Sequence, residues 1–256
     1  MIVSHKLKCI FIKPTKVAGS SFEIALSKFC GPEDIITPLY SLTHGNEDEI
    51  LRLKHGGRPP QNYLKPWRKR QRREVLDASL HFIKRKNPFH QHPSTYYFDH
   101  MRAKAIRSRV GADIFSSYLK IAIVRDPFDY ALSRYRFTLK QNKIDPLSMT
   151  FGRFLTDMPE RLVENRRITE IDGVSVIDHM IRFEDFENGI RQLSEKLCLG
   201  GELLNTFRKV NAKKSGRNPK EDLNLYKITP EAILLIEILC KKDIEDFGYT
   251  APTWTP

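Results

Sequence analysis

Residues 7–29, LKCIFIKPTKVAGSSFEIALSKF, decide the fold. The run from Leu7 to Lys13 is short and apolar, of strand type, and it stops at Pro14. Phe22, Ile24, Ala25, Leu26 and Phe29 then follow at helical spacing, with Gly31 placed as a helix stop and Pro32 behind it. Between strand and helix lies the loop KPTKVAGSS, residues 13–21. A strand–loop–helix unit of this kind puts unbonded backbone N–H groups at the positive end of the helix dipole, where phosphate binds best. Lys16 adds a full positive charge within reach of the same anion, and Ser20 and Ser21 can donate hydroxyls. This is not a Walker A loop. That motif places its lysine directly after the last glycine, whereas Lys16 precedes Gly19 and no glycine comes earlier.

Further along, Tyr118 to Val124 (YLKIAIV) predicts a buried strand, Arg125-Asp126-Pro127 a turn, and Phe128 to about Lys140 a helix. A third strand is expected over Val176 to Phe183, leading into a helix from Phe186 to Leu197. Asp99 is placed to cap a helix from His100 to about Val110, closed by Gly111. Thr229-Pro230-Glu231 opens a last helix that runs to about Asp246. Strands alternating with helices predict an α/β fold of three layers, a central parallel sheet flanked by helices. The chain is expected to form a single domain over residues 1–256, with an insertion at about 38–97. That insertion holds the segment HGGRPP at 55–60 and the basic run KPWRKRQRR at 65–73.

A length of 256 residues, 40% hydrophobic and 29% charged, suits a globular chain with a real core. The net charge of +12 predicts an anionic partner but does not choose among nucleotide, acidic polymer, nucleic acid and membrane surface. Cys9, Cys30, Cys198 and Cys240 are widely spaced and read as reduced core thiols. No apolar run reaches the length of a signal peptide or of a membrane span, which predicts a cytoplasmic protein.

Arg125, at the end of its strand, can fork onto a phosphate, and Ser133, two helical turns on, can meet the same anion if the helix folds back beside the strand. Two anion sites at the carboxyl ends of two parallel strands match a ligand with a phosphate at each end.

Together the two segments resemble the sulfotransferase family, especially the branch of carbohydrate (heparan 2-O and chondroitin) sulfotransferases and their bacterial relatives. In that family a Pro-Lys-x-Gly-Thr/Ser-Ser-like loop after the first strand cradles a 5'-phosphosulfate, and an Arg-x-Pro-x-x-x-x-x-Ser-x-Tyr segment binds a 3'-phosphate. The second pattern is met in full by Arg125, Pro127, Ser133 and Tyr135. The first is met with one departure, since Thr15 separates Pro14 from Lys16. The resemblance extends from Phe98 through Arg107 up to the strand at Tyr118, to Arg182–Phe186, and to Asn211–Arg217 followed by the helix opened by Thr229-Pro230-Glu231 and by Phe247–Tyr249, about two-thirds of the chain.

The resemblance implies a P-loop-NTPase-like sulfotransferase fold and 3'-phosphoadenosine 5'-phosphosulfate (PAPS) as the donor, with a glycan or small-molecule acceptor, no nucleic acid and no metal. It gives the 5'-end of the donor to Lys16, Val17, Ala18, Gly19, Ser20 and Ser21, and the 3'-end to Arg125 and Ser133, with Arg217 over the nucleotide. Lys16 carries the family's catalytic lysine role, and His100 is the expected base, with His55, His90 and His92 as runners-up. His90-x-His92 lacks a nearby carboxylate or thiolate and is a weak metal pair. Glu184 and Asp185 read as structural residues at a helix start. Two rivals remain at this point: a P-loop-like nucleotide or small-molecule kinase, and a basic nucleic-acid-binding module built on residues 65–73.

Overall fold

A computed structural model describes residues 1–39, 47–65, 95–211, 229 and 231–252. Three expected strands form: β2 (Cys9–Phe11), β4 (Leu119–Val124) and β7 (His179–Arg182). They pair in parallel, with Cys9 opposite Leu119 and Ile121 opposite His179. The sheet is nevertheless mixed, which corrects the all-parallel expectation. Two further strands, β1 (Ile2–Ser4) and β3 (Ile35–Ile36), extend it to the order β3-β1-β2-β4-β7. β1 runs antiparallel to both of its neighbours. The reason is connection length: only four residues, 5–8, join β1 to β2. A link that short can only reverse the chain, whereas a parallel return needs a crossover of a dozen residues or more.

Strand alternation sorts the core to two faces. Cys9, Phe11, Ile121 and Ile123 point to one side, where they pack with α1 (Gly19–Ser27), α8 (Phe186–Lys196) and α9 (Glu202–Asn211). Val3, Ile10 and Ile12 point to the other, against α3 (Ala103–Val110) and α4 (Ala112–Ser117). The three-layer expectation therefore holds. A third apolar cluster joins α5 (Pro127–Asn142), α6 (Phe151–Asp157) and α10 (Glu231–Leu239). Two short elements, α7 (Glu164–Thr169) and α11 (Lys241–Phe247), are tied together through Arg166, which pairs with Glu170, Asp243 and Asp246. A two-stranded ribbon, β5 (Glu170–Ile171) and β6 (Val174–Ser175), follows α7, and α2 (Glu47–Lys54) lies in the inserted region.

Three local expectations are corrected. Asp99 does not cap a helix from His100: α3 begins at Ala103 after Arg102, because the Asp99 carboxylate is drawn to Lys13 Nζ at 2.9 Å. The C-terminal helix is two helices, broken at Cys240. Cys9, Cys30 and Cys240 are buried free thiols, but Cys198 is exposed. Among the described residues no helix is long and apolar enough to cross a membrane.

Candidate active site

The turn after β2 is built on a buried ion cluster. Glu23, on the inner face of α1, receives Lys13 Nζ at 3.2 Å, Arg52 Nη2 at 3.1 Å and the amino group of Met1 at 2.8 Å. Asp99 takes Lys13 from the other side. The Lys13 stem then floors the turn, for a Cβ added at Gly19 would lie 2.9 Å from Lys13 Cγ. Glycine is required there by packing.

Beyond Lys13 each residue of the turn is fixed in its own way. Thr15 is buried, and its N–H donates to Asn165 Oδ1 at 2.8 Å. Lys16 and Ala18 both have left-handed backbones, each with φ near 56°. Val17 between them is fully buried in the core against the sheet. Left-handed non-glycine residues cost about 1–3 kcal/mol each and persist only where their surroundings over-determine them. Gly19, Ser20 and Ser21 are the first three residues of α1, so their amides have no acceptor within the helix.

Arg125, at the tip of β4, meets this turn directly. Its Nη1 donates to the Lys16 carbonyl at 2.7 Å and its Nε to Asp129 at 2.6 Å. Its guanidinium lies over the Phe183 ring, 4.2 Å from the centroid. Asp126 caps α5 by accepting from the amides of Phe128 and Asp129, which sets the helix off from the strand tip. Asp129, Ser133 and Phe137 then follow at i, i+4 and i+8 along one helix face. Asp129 holds Arg125, while Phe137 lies under the Lys16 ammonium with 4.2 Å from Nζ to the ring centroid. Ser133 sits between them on that face.

The donor set suits an anion. Burial, and then the positive charges of Arg125, Arg134 and Lys140, push the Lys16 pKa down to about 8. Arg134 is itself paired with Glu164, and still the neighbouring cations repel the charged form of Lys16. A phosphate placed there would relieve that repulsion.

His100 stands at the base of the same turn. Its Nδ1 lies 3.0 Å from the Lys13 carbonyl, three residues before Lys16, and its Nε2 lies 3.4 Å from Asp99. Nδ1 therefore carries the proton that the carbonyl accepts, leaving the Nε2 lone pair. Burial lowers the imidazole pKa, the Asp99 carboxylate offsets part of that, and Lys13 adds to it. The net shift favours the neutral ring, and its side chain is 38% exposed.

Lys16, Val17, Ala18, Gly19, Ser20, Ser21, Arg125, Ser133 and His100 are thus gathered around one turn and one strand tip. His55 lies elsewhere, past the end of α2, where burial and then Lys54 and Lys209 lower its pKa. His90, His92, Arg217 and most of the basic run lie outside the described residues. Glu184 is structural as expected, accepting from the Asp126 amide and the Tyr249 hydroxyl. Among the described residues no cluster of His, Cys, Asp and Glu is arranged to hold a metal ion.

Sequence reasoning missed Lys13, Glu23, Asp129 and Asn165. Only Asp129 left a readable signal, a carboxylate four residues after Arg125 on a helix. No protein-family model, curated protein or solved structure matches the chain.

Proposed function

We propose that the chain is a sulfotransferase that moves the sulfuryl group of PAPS to a hydroxyl or amine of a glycan or small-molecule acceptor. One observation carries this: Arg125 Nη1 lies 2.7 Å from the Lys16 carbonyl. The two segments proposed to bind anions, more than a hundred residues apart in sequence, therefore adjoin at the carboxyl ends of neighbouring parallel strands, which supports a ligand with a phosphate at each end.

PAPS supplies the sulfuryl group and departs as adenosine 3',5'-bisphosphate. Lys16 and the amides of Gly19, Ser20 and Ser21 bind the 5'-end and stabilise the charge that builds on its phosphate oxygen, the main source of rate enhancement in transfers of this kind. Arg125 and Ser133 hold the 3'-phosphate. His100 takes the acceptor proton on Nε2, and the Asp99 carboxylate stabilises the resulting imidazolium. Arg217 belongs to this set by resemblance alone.

Thermal unfolding with adenosine 3',5'-bisphosphate, adenosine 5'-phosphate, ATP–Mg and an oligonucleotide tests the proposal. At a hundredfold excess over Kd a specific ligand stabilises by about 2.7 kcal/mol. The bisphosphate is expected to bind about a hundredfold more tightly than the 5'-monophosphate, since charged hydrogen bonds contribute roughly 1.5–3 kcal/mol each. Arg125→Ala should erase that difference. Stronger stabilisation by ATP–Mg would favour the kinase, and by the oligonucleotide the nucleic-acid module.

A further inference from the structure

We infer that Asn165 is the positioning residue of the anion-binding turn: its side-chain amide clamps the Thr15 main chain and so fixes the backbone from which Lys16 projects. The inference rests on the site reading above for what Lys16 does, and on geometry for what Asn165 does. Asn165 Oδ1 accepts from the Thr15 N–H at 2.8 Å, while Asn165 Nδ2 donates to the Thr15 carbonyl at 3.1 Å. One side chain thus satisfies both main-chain groups, as a neighbouring strand would. The Thr15 hydroxyl lies 3.0 Å from the same Oδ1 and 2.9 Å from the Tyr130 hydroxyl, which donates to the Arg161 carbonyl at 3.1 Å.

The clamp grips the residue immediately before Lys16, whose left-handed backbone needs support from outside. The two flanking supports are of other kinds: Lys13 is held through its side chain, and the Lys16 carbonyl through Arg125. With Asn165 gone, two buried main-chain groups of Thr15 lose their partners, and the turn gains reason to rearrange toward water. Residues Pro14, Arg125, Tyr130, Asn165 and Arg166 border a cavity of about 60 Å³, large enough for water to take over those groups. Truncating Asn165 should therefore loosen the turn without unfolding the protein. The clamp also answers the departure at position 15, since threonine has the N–H that Asn165 engages and proline has none.

The test uses Asn165→Ala in the full chain with three readouts: thermal unfolding, affinity for adenosine 3',5'-bisphosphate, and titration of the Lys16 ammonium by NMR with labelled lysine. The fold is expected to survive while bisphosphate affinity falls ten- to a hundredfold. The Lys16 titration should move up from about 8 toward the ordinary lysine value of about 10.4 as the turn opens to water. Asn165→Gln keeps both amide functions without adding charge but sets them one methylene further out, so it should fall between. If the alanine variant does not fold, the glutamine variant carries the same readouts. An unchanged Lys16 titration with unchanged affinity overturns the inference. A wild-type chain that ignores the bisphosphate, but whose Lys16 titration still shifts on Asn165→Ala, overturns the sulfotransferase proposal and leaves the clamp standing.

Discussion

Glu23→Ala should destabilise the protein by about 3–5 kcal/mol, the usual result of removing one partner from a buried charge group. Glu23 and Arg52 are both 0% exposed and Lys13 is 3% exposed. Three cations (Lys13, Arg52 and the Met1 amino group) are balanced by three carboxylates (Glu23, Asp99 and Glu49). Deleting Glu23 leaves the cluster one positive charge in excess where water cannot reach it. Glu23→Gln should cost less, because it keeps the volume and one acceptor. Burial opposes ionisation of Glu23, but Lys13, the Met1 amino group and Arg52 outweigh it and hold the carboxyl below the usual range. A carboxyl depressed on folding contributes stability that is complete above its unfolded value, about 4.3, and is lost as pH falls through the lower folded value. Urea unfolding from pH 7 down to pH 3 should therefore show the wild type losing more stability than Glu23→Gln. A loss below 1 kcal/mol for Glu23→Ala at pH 7 would mean that the ion group does not support the turn.

Lys16→Ala should lower turnover by at least 10²–10³, the effect of removing one preorganised donor from a developing charge, while leaving the fold no less stable. The second half follows from the burial of Lys16 and, after it, from the neighbouring cations. A lysine whose pKa is lowered to about 8 in the native protein, against about 10.4 in the unfolded chain, opposes folding while it is protonated. That opposition is complete below pH 8 and disappears as pH rises through the unfolded value. Lys16→Met, which removes the charge and keeps most of the side chain's length, should accordingly raise the unfolding temperature at pH 7. Loss of activity with gained stability marks a group kept for function. The wild-type affinity for adenosine 3',5'-bisphosphate should also fall with pH. Only about one Lys16 in ten is charged one unit above its pKa, so binding at pH 9 should be about tenfold weaker than at pH 7. Titration calorimetry near pH 8 should show proton uptake on binding. A flat profile would remove Lys16 from contact with the phosphate.

What was legible in the sequence had local causes. β2, β4 and β7 are apolar runs closed by Pro14, by Arg125-Asp126-Pro127 and by a helix start, so each was placed to within a few residues. Lys16, Arg125 and Ser133 were readable because a strand-end motif fixes where a side chain stands relative to the sheet edge. The misses had distant causes. β1 is three residues long, too short for any period to show, and its direction was set by a four-residue link. Asp99 carries the local signature of a helix cap, yet Lys13, 86 residues away, claims its carboxylate. Glu23 has no local signature, because its partners at positions 1, 13 and 52 are brought together only by the fold. Asn165 lies 150 residues from Thr15 and has no motif of its own.

The most direct measurement is a crystal structure of the protein with adenosine 3',5'-bisphosphate bound. The 5'-phosphate should lie on the amides of Gly19, Ser20 and Ser21 beside Lys16, and the 3'-phosphate on Arg125 and Ser133, both on one molecule. A nucleotide bound elsewhere, or one reaching the Lys16 turn with its 3'-phosphate away from Arg125, would contradict the proposed function.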